Sequence, residues 1–161
     1  MLKVVFNSSP LIFLARLEFL HSFLDSPDEF YLPMFVAEEI SAKSDEACQQ
    51  VKALIDCGNI TVRTIQLTSL ANSLNRRLGR GESEAIALSI ELQTDYIILD
   101  DFAARKEATR LGLNVKGTLA IIRKLQADGK ITINSLEELY HDLVGINFRI
   151  KRSLFDAIFE D

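Results

Sequence analysis

Acidic residues stand at the ends of several predicted elements of this 161-residue chain. Glu39 closes one predicted helix, and Glu84 lies in the first turn of another. The pair Asp100-Asp101 ends an apolar run that predicts a strand, and Asn7 ends the first strand. Hard cations such as Mg²⁺ and Mn²⁺ prefer oxygen ligands and keep waters that phosphate oxygens can replace. A carboxylate cluster of this kind therefore suggests a divalent metal and cleavage of a phosphodiester bond.

The elements that must position these residues alternate between strands and helices. Short apolar or alternating runs predict strands at 3–6, 30–32, 60–65, 96–99 and 114–116. Helical periodicity predicts helices at 11–23, 33–41, 45–57, 67–78, 82–92, 102–111, 119–127, 136–144 and 151–159. This order predicts one α/β domain over residues 1–161, a three-layer sandwich with a central, mostly parallel sheet. Ligands of such sheets gather outside the carboxyl ends of the strands, where the acids are expected.

Each acid taken alone also has a structural explanation. A carboxylate at Glu84, in the helix predicted to be most buried, needs the helix dipole, a basic partner or a metal ion. Asp101 is spaced to pair with Arg105 one turn later. Glu38 and Glu39 are about 100° apart on a helix, so at most one of them faces inward. Only the set as a whole favours a metal-binding, catalytic role over a structural one.

Composition narrows the classes of protein. Hydrophobic residues make up 48% and charged residues 25% of the chain, as in an ordinary globular domain. The net charge of −5 argues against a protein that coats nucleic acid, but it is compatible with a nuclease whose acids hold metal. No apolar run reaches the roughly 20 residues of a membrane helix and no secretory signal is visible, so we expect no membrane partner. Cys48 and Cys57 match no close metal or redox pair, which favours reduced thiols in the cytoplasm.

Other catalytic classes lack their motifs. No Gly-x-Gly-x-x-Gly follows a strand, and Gly79-x-Gly81 is too short for a phosphate-binding P-loop. The first strand offers no acid pair for a phospho-receiver domain. His21 and His141 are isolated on predicted helices, which disfavours a hydrolase triad or a histidine metal site.

Five segments, taken in chain order, carry a family resemblance. They are Asn7-Ser8-Ser9-Pro10-Leu11-Ile12, Pro33-x-x-Val36-x-x-Glu39-Ile40, Gly81-Glu82-x-Glu84-Ala85-Ile86-Ala87-Leu88, Leu99-Asp100-Asp101-x-Ala103-Ala104-Arg105 and Gly112-Leu113-x-Val115-x-Gly117-Thr118-Leu119. Together they resemble the PIN-domain ribonuclease family nearly end to end. The most similar group is a bacterial subgroup related to the VapC-like toxins of toxin–antitoxin systems.

The resemblance implies a Mg²⁺- or Mn²⁺-dependent endoribonuclease that leaves a 5′-phosphate. The catalytic residues that it carries over by position are Asn7, Glu39, Glu84 and Asp101. Of these, Asn7, Glu84 and Asp101 would hold the metal, and Glu39 would be a further acidic ligand. Ser9 and Asp100 would support the metal site, Ser9 by hydrogen bonding and Asp100 as a substitute or supporting acid.

The same resemblance implies partners. It implies an RNA substrate, an antitoxin protein that covers the acidic cleft, and a homodimer. Arg105 and Thr118 are weaker candidates for lining the site. Gly117-Thr118 also fits a simple helix cap, which is the interpretation we favour.

Asn7 departs from the family pattern, which begins with Asp at this strand end. An amide keeps one carbonyl oxygen, loses a full negative charge and adds two N–H donors. We therefore expect weaker metal binding and a weakened or absent activity. Two hypotheses stay open: a metal-dependent ribonuclease impaired at one position, and a noncatalytic PIN-like protein that binds RNA or a protein partner. A natural loss of Asp and a deliberate replacement of Asp by Asn would both give this sequence.

Overall fold

A parallel sheet forms the centre of the computed structural model, which describes residues 1–160. Its strands are β1 (Lys3–Phe6), β2 (Glu29–Pro33), β3 (Thr61–Arg63), β4 (Tyr96–Ile98) and β5 (Val115–Lys116). They lie in the order β3-β2-β1-β4-β5, and each neighbouring pair is parallel. The predicted α/β fold with a central parallel sheet is confirmed.

Helices cover both faces of the sheet. The described residues form α1 (Ser8–Arg16), α2 (Leu20–Leu24), α3 (Met34–Ser41), α4 (Glu46–Asp56), α5 (Thr68–Leu74), α6 (Arg80–Leu92), α7 (Phe102–Arg110), α8 (Thr118–Ala127), α9 (Leu136–Gly145) and α10 (Arg152–Phe159). None of them is long and apolar enough to cross a membrane.

The alternation of β1 divides the core into two clusters. Val4 and Phe6 belong to a cluster that packs against α1 to α4 and α8 to α10, whereas Val5 belongs to a second cluster with α5, α6 and α7. All three side chains are fully buried. Because successive side chains of a strand point to opposite faces, an unbroken apolar strand needs helices on both sides. The three layers follow directly from that pattern.

The helix predicted over 11–23 is wrong in one respect, because it is broken into α1 and α2. Glu18 adopts a left-handed conformation with a φ of 65°, and the Phe19 N–H bonds back to the Leu14 carbonyl. The break turns Leu20 and Phe23 into the core, where the Phe23 ring packs edge-on against Phe6. Burial of these side chains outweighs the cost of the turn.

Besides that helix, two helix boundaries differ from the prediction by two residues or more. The helix predicted over 67–78 ends at Leu74, and the next one begins at Arg80 instead of Glu82. Gly81 therefore lies inside the first turn of α6. Glycine normally weakens a helix, so its presence here calls for a packing reason, which the site supplies.

Candidate active site

Asn7 and Glu39 approach each other over Gly81. Asn7 follows β1 at the N-cap position of α1, but its buried side chain makes no capping hydrogen bond. A Cβ on Gly81 would lie 3.0 Å from Glu39 Oε1 and 3.3 Å from Asn7 Oδ1. Two side-chain oxygens from different elements thus converge on one point of α6. A side chain at this position would push both oxygens aside, so glycine suits this place in the helix.

Glu82 lies one residue further along α6 and has one oxygen without a partner. The backbone N–H of Gly79, the N-cap residue, donates to its carboxylate in the manner of a capping box. Within the described part of the chain, Glu82 Oε2 is buried and has no hydrogen-bond partner. Such an oxygen is costly unless a proton or a cation meets it.

Asp101 is the neighbour that Glu82 faces. Burial, and then the charge of Asp101 and a hydrogen bond to it, raise the pKa of Glu82. Glu39 adds a smaller repulsion in the same direction. Asp101 is itself held in place as the N-cap of α7, where its Oδ2 accepts from the Ala104 N–H at 2.9 Å. The carboxyl edge of the sheet thus gathers acids that repel one another.

Asp100 points away from that pair and braces the start of α8. Its Oδ1 accepts from the Thr118 N–H at 2.8 Å, and its Oδ2 accepts from the Thr118 hydroxyl at 2.6 Å. Burial raises the pKa of Asp100, while the bonds from Thr118 and the charge of Arg105 oppose that rise. Arg105 also donates to the Leu99 carbonyl at 2.8 Å. Thr118 is the first residue of α8, and Asp100 caps the helix by accepting a hydrogen bond from its free N–H.

Glu84 follows Gly81 by three residues on α6, so the two positions share a helix face. Residues two apart on a helix differ by about 200° in direction, so Glu82 and Glu84 leave α6 in different directions. The buried Glu84 Oε2 accepts from Arg80 Nε at 3.0 Å, which is the basic partner that the sequence analysis left open. Both residues line a cleft of about 510 Å³ with Phe35 and Glu38. The Arg80 guanidinium stacks 4.2 Å from the Phe35 ring centroid.

The oxygen atoms gathered at this edge are suitable ligands for a hard cation. Asn7 Oδ1 and Glu39 Oε1 converge over Gly81, and Glu82 offers a buried oxygen without a partner. Mg²⁺ and Mn²⁺ favour oxygen ligands of this kind, and their positive charge relieves the repulsion between carboxylates. Among residues 1–160, no three His, Cys, Asp or Glu side chains are gathered closely enough to hold an ion as they stand. The amide oxygen of Asn7 is a further possible metal ligand, and Asn is not one of those four residue types.

The sequence matches one family model over nearly its whole length. A family model described as PIN domain matches residues 3–161. The chain belongs to the PIN-domain family. No curated protein matches it. Among solved structures, it is similar to a PilT N-terminus domain protein of the hyperthermophilic archaeon Sulfolobus solfataricus P2, with 21% identity and a TM-score of 0.53. The match covers 76% of this chain and 92% of that one, and at this identity it supports the fold alone.

The PIN fold is a nuclease-type fold, and PIN domains generally depend on divalent metals and bind RNA. In this PIN domain, the edge unites Asn7, Glu39 and Asp101 around the start of α6. It adds Glu82, to which the sequence alone gave no role at the site. The signal was present as Gly79-x-x-Glu82, the spacing that brings an N3 side chain back to its cap residue.

Two further predicted site residues have surroundings of a different kind. Glu84 is paired with Arg80 on the neighbouring cleft, and Ser9 is exposed in the first turn of α1. Their roles at the site stay predictions. Asp100 sits next to the group, with both carboxylate oxygens bonded to Thr118.

Proposed function

We propose that this PIN domain is a divalent-metal-dependent endoribonuclease of the toxin–antitoxin type, weakened by Asn7. One observation carries the proposal. Oxygens of Asn7 and Glu39 converge over Gly81, and the next residue, Glu82, has one buried oxygen without a hydrogen-bond partner and lies beside Asp101. Acids that repel one another at the carboxyl edge of a parallel sheet are typical of a site that is completed by a cation.

The residues divide into those that would hold the ion and those that position them. Asn7, Glu39, Glu82 and Asp101 would hold Mg²⁺ or Mn²⁺. When bound, the ion would supply an activated water and stabilise the leaving oxygen of the RNA phosphodiester. Asp101 is oriented by its bond from Ala104, so one of its oxygens is committed to the cap.

Asn7 sets the level of activity in this proposal. The family pattern places Asp here, and Asn removes one of the negative charges that would attract the cation. Its two N–H donors also repel a cation and can attract anionic oxygens of RNA. The buried position of Asn7 gives water little chance to compensate for the missing charge.

The noncatalytic alternative is favoured by the same residue. A PIN domain whose site binds metal poorly would still present the fold to RNA or to a protein partner. An antitoxin that covers the carboxyl edge, and a homodimer, belong to the toxin-type proposal and rest on the resemblance to that subgroup. Metal binding by the unmodified chain separates the two functions.

The decisive experiment compares this chain with Asn7→Asp in Mn²⁺-dependent cleavage of a mixed RNA pool. Asn7→Asp with Asp101→Ala in the same protein controls for contaminating nuclease. We expect cleavage by Asn7→Asp, weaker or absent cleavage by the unmodified chain, and none by the double variant. If Asn7→Asp neither cleaves RNA nor binds Mn²⁺ by calorimetry, the nuclease proposal is wrong and the binding function is favoured.

A further inference from the structure

An open groove of about 770 Å³ begins beside the acids and runs between α7, α8 and α10. Asp100, Arg105 and Gly117 form its end nearest the candidate active site. Its floor is apolar and includes Phe148 and Leu119, both buried. The groove is therefore continuous with the site but is not part of the metal-holding group.

The charges along this groove are unusual for an acidic protein. Arg105, Arg149 and Lys151 line it, and the last two are exposed. Asp100 is the one acid among the described lining residues, and its two oxygens accept hydrogen bonds from Thr118 near the Arg105 cation. The whole chain carries a net charge of −5, so this surface departs from the rest in sign. A cationic surface of this kind attracts phosphates.

Phe102 stands at the mouth of the groove and is unusually exposed. It follows Asp101 directly as the first residue of α7, and 79% of its surface is accessible. Leu154, on α10 at the opposite side, is 56% exposed. An exposed phenyl ring forgoes the stabilisation that its burial would give. Next to a phosphodiester-cleaving site, a free ring face offers a stacking platform for a nucleobase.

We propose that this groove holds the single-stranded RNA adjacent to the scissile phosphate. Phe102 stacks on a base, and Arg149 and Lys151 bind the phosphates beyond it. The proposal rests on the proposed function in taking RNA as the substrate of this site. Cations combined with an exposed aromatic ring favour RNA over a protein segment, because apolar peptide anchors would not need the cationic rim.

RNA binding without cleavage tests this assignment. The probe is a short fluorescein-labelled single-stranded RNA of mixed sequence, followed by anisotropy in chelator with the full-length chain. We expect Phe102→Ala to weaken binding about fivefold or more, with the salt dependence unchanged. Phe102→Tyr should restore binding. The double variant Arg149→Gln/Lys151→Gln should lower the slope of log K against log salt by about 1.4, at about 0.7 per phosphate on a single strand.

A matched control removes the same charges elsewhere. Arg16 ends α1 and Lys3 begins β1, so both lie at the opposite edge of the sheet and are exposed. Arg16→Gln/Lys3→Gln should leave the affinity for the probe within about twofold and the salt slope within about 0.3 of the unmodified chain. All variants alter exposed side chains, and unchanged thermal unfolding would exclude misfolding as the cause.

The outcomes separate this inference from the nuclease proposal. If Asn7→Asp cleaves RNA but the Phe102 and Arg149/Lys151 variants bind the probe like the control, the groove is not the RNA path and a protein segment becomes its better occupant. If the groove variants weaken binding as expected while Asn7→Asp fails to cleave, the RNA path stands and the catalytic proposal fails.

Discussion

Glu82 and Asp101 face each other at the carboxyl edge of the sheet, and neither is free to turn away. The Gly79 N–H holds the Glu82 carboxylate, and the Ala104 N–H holds Asp101. Burial of Glu82 and the neighbouring Asp101 charge raise the pKa of Glu82. The fold thus keeps two acids in an arrangement that is unfavourable without a proton or a cation between them.

Glu82→Gln should raise the thermal stability in chelator at neutral pH by a few degrees. A raised pKa means that the folded state holds the proton more tightly than the unfolded chain. The stability contributed by protonated Glu82 is therefore complete at pH values below its ordinary pKa of 4.5. This contribution is lost as the pH rises through the raised pKa of the folded state. Gln removes the charge that costs stability above that window, so the advantage should vanish in acid. Thermal unfolding across pH measures both effects.

Glu18→Gln, at an exposed site, is the control for loss of a negative charge. In the Asn7→Asp background, a divalent cation should stabilise the protein with Glu82 more than the protein with Glu82→Gln, because binding to the folded state raises the melting temperature. Equal stabilisation of both proteins by Mn²⁺ would contradict a ligand role for Glu82.

Glu82 and Glu84 should behave differently in the Asn7→Asp background. We expect Glu82→Gln to lower the cleavage rate about 100-fold or more, beyond the 10–100-fold that supporting residues cost. Glu84→Gln should lower it less than about tenfold and reduce the melting temperature, because it weakens the ion pair with Arg80. Cleavage rates and unfolding of the two variants decide the assignment. The reverse order would return the metal site to Glu84.

Gly81→Ala should impair metal binding without harming the helix. The new methyl would meet Glu39 Oε1 at 3.0 Å and Asn7 Oδ1 at 3.3 Å and push both aside. Alanine in place of a helical glycine otherwise stabilises by about 0.5–1 kcal/mol. In Asn7→Asp, the variant should bind Mn²⁺ about tenfold more weakly by calorimetry, at equal or higher thermal stability. Gly145→Ala on α9, where a methyl has open space, is the matched control and should bind normally.

Thr118→Val should destabilise the protein by about 1–3 kcal/mol at neutral pH, because Asp100 Oδ2 loses its hydroxyl donor in a poorly solvated site. Without that bond the pKa of Asp100 rises further, so the loss should shrink as pH falls and Asp100 gains its proton. Urea unfolding at neutral and acidic pH measures this. In a double-mutant cycle with Asp100→Asn, the two changes should be strongly non-additive. Additive effects would mean that the bond contributes nothing.

The sequence predicted the fold well because the apolar pattern that decides which faces of an element are buried lies within a few neighbouring residues. The unbroken apolar strands at 3–6 and 96–99 required helices on both faces, and the sheet has them. The break at Glu18 escaped the periodicity, since a helical stripe continues across it. The helix is broken because the break buries Leu20 and Phe23 in a core that includes a strand distant in sequence. That the chain forms one domain stays a prediction.

By itself, the sequence determined that acids would meet at the carboxyl edge of a parallel sheet, because strand direction fixes where each strand ends. It placed Asn7 and Asp101 there and put Asn where the family has Asp. Only the tertiary structure decided which glutamate of α6 turns to Asp101. That choice depends on how the helix is rotated against its neighbours, an arrangement in which Gly81 lies under Glu39 and Asn7. The result turns Glu82 to the acids and Glu84 to Arg80.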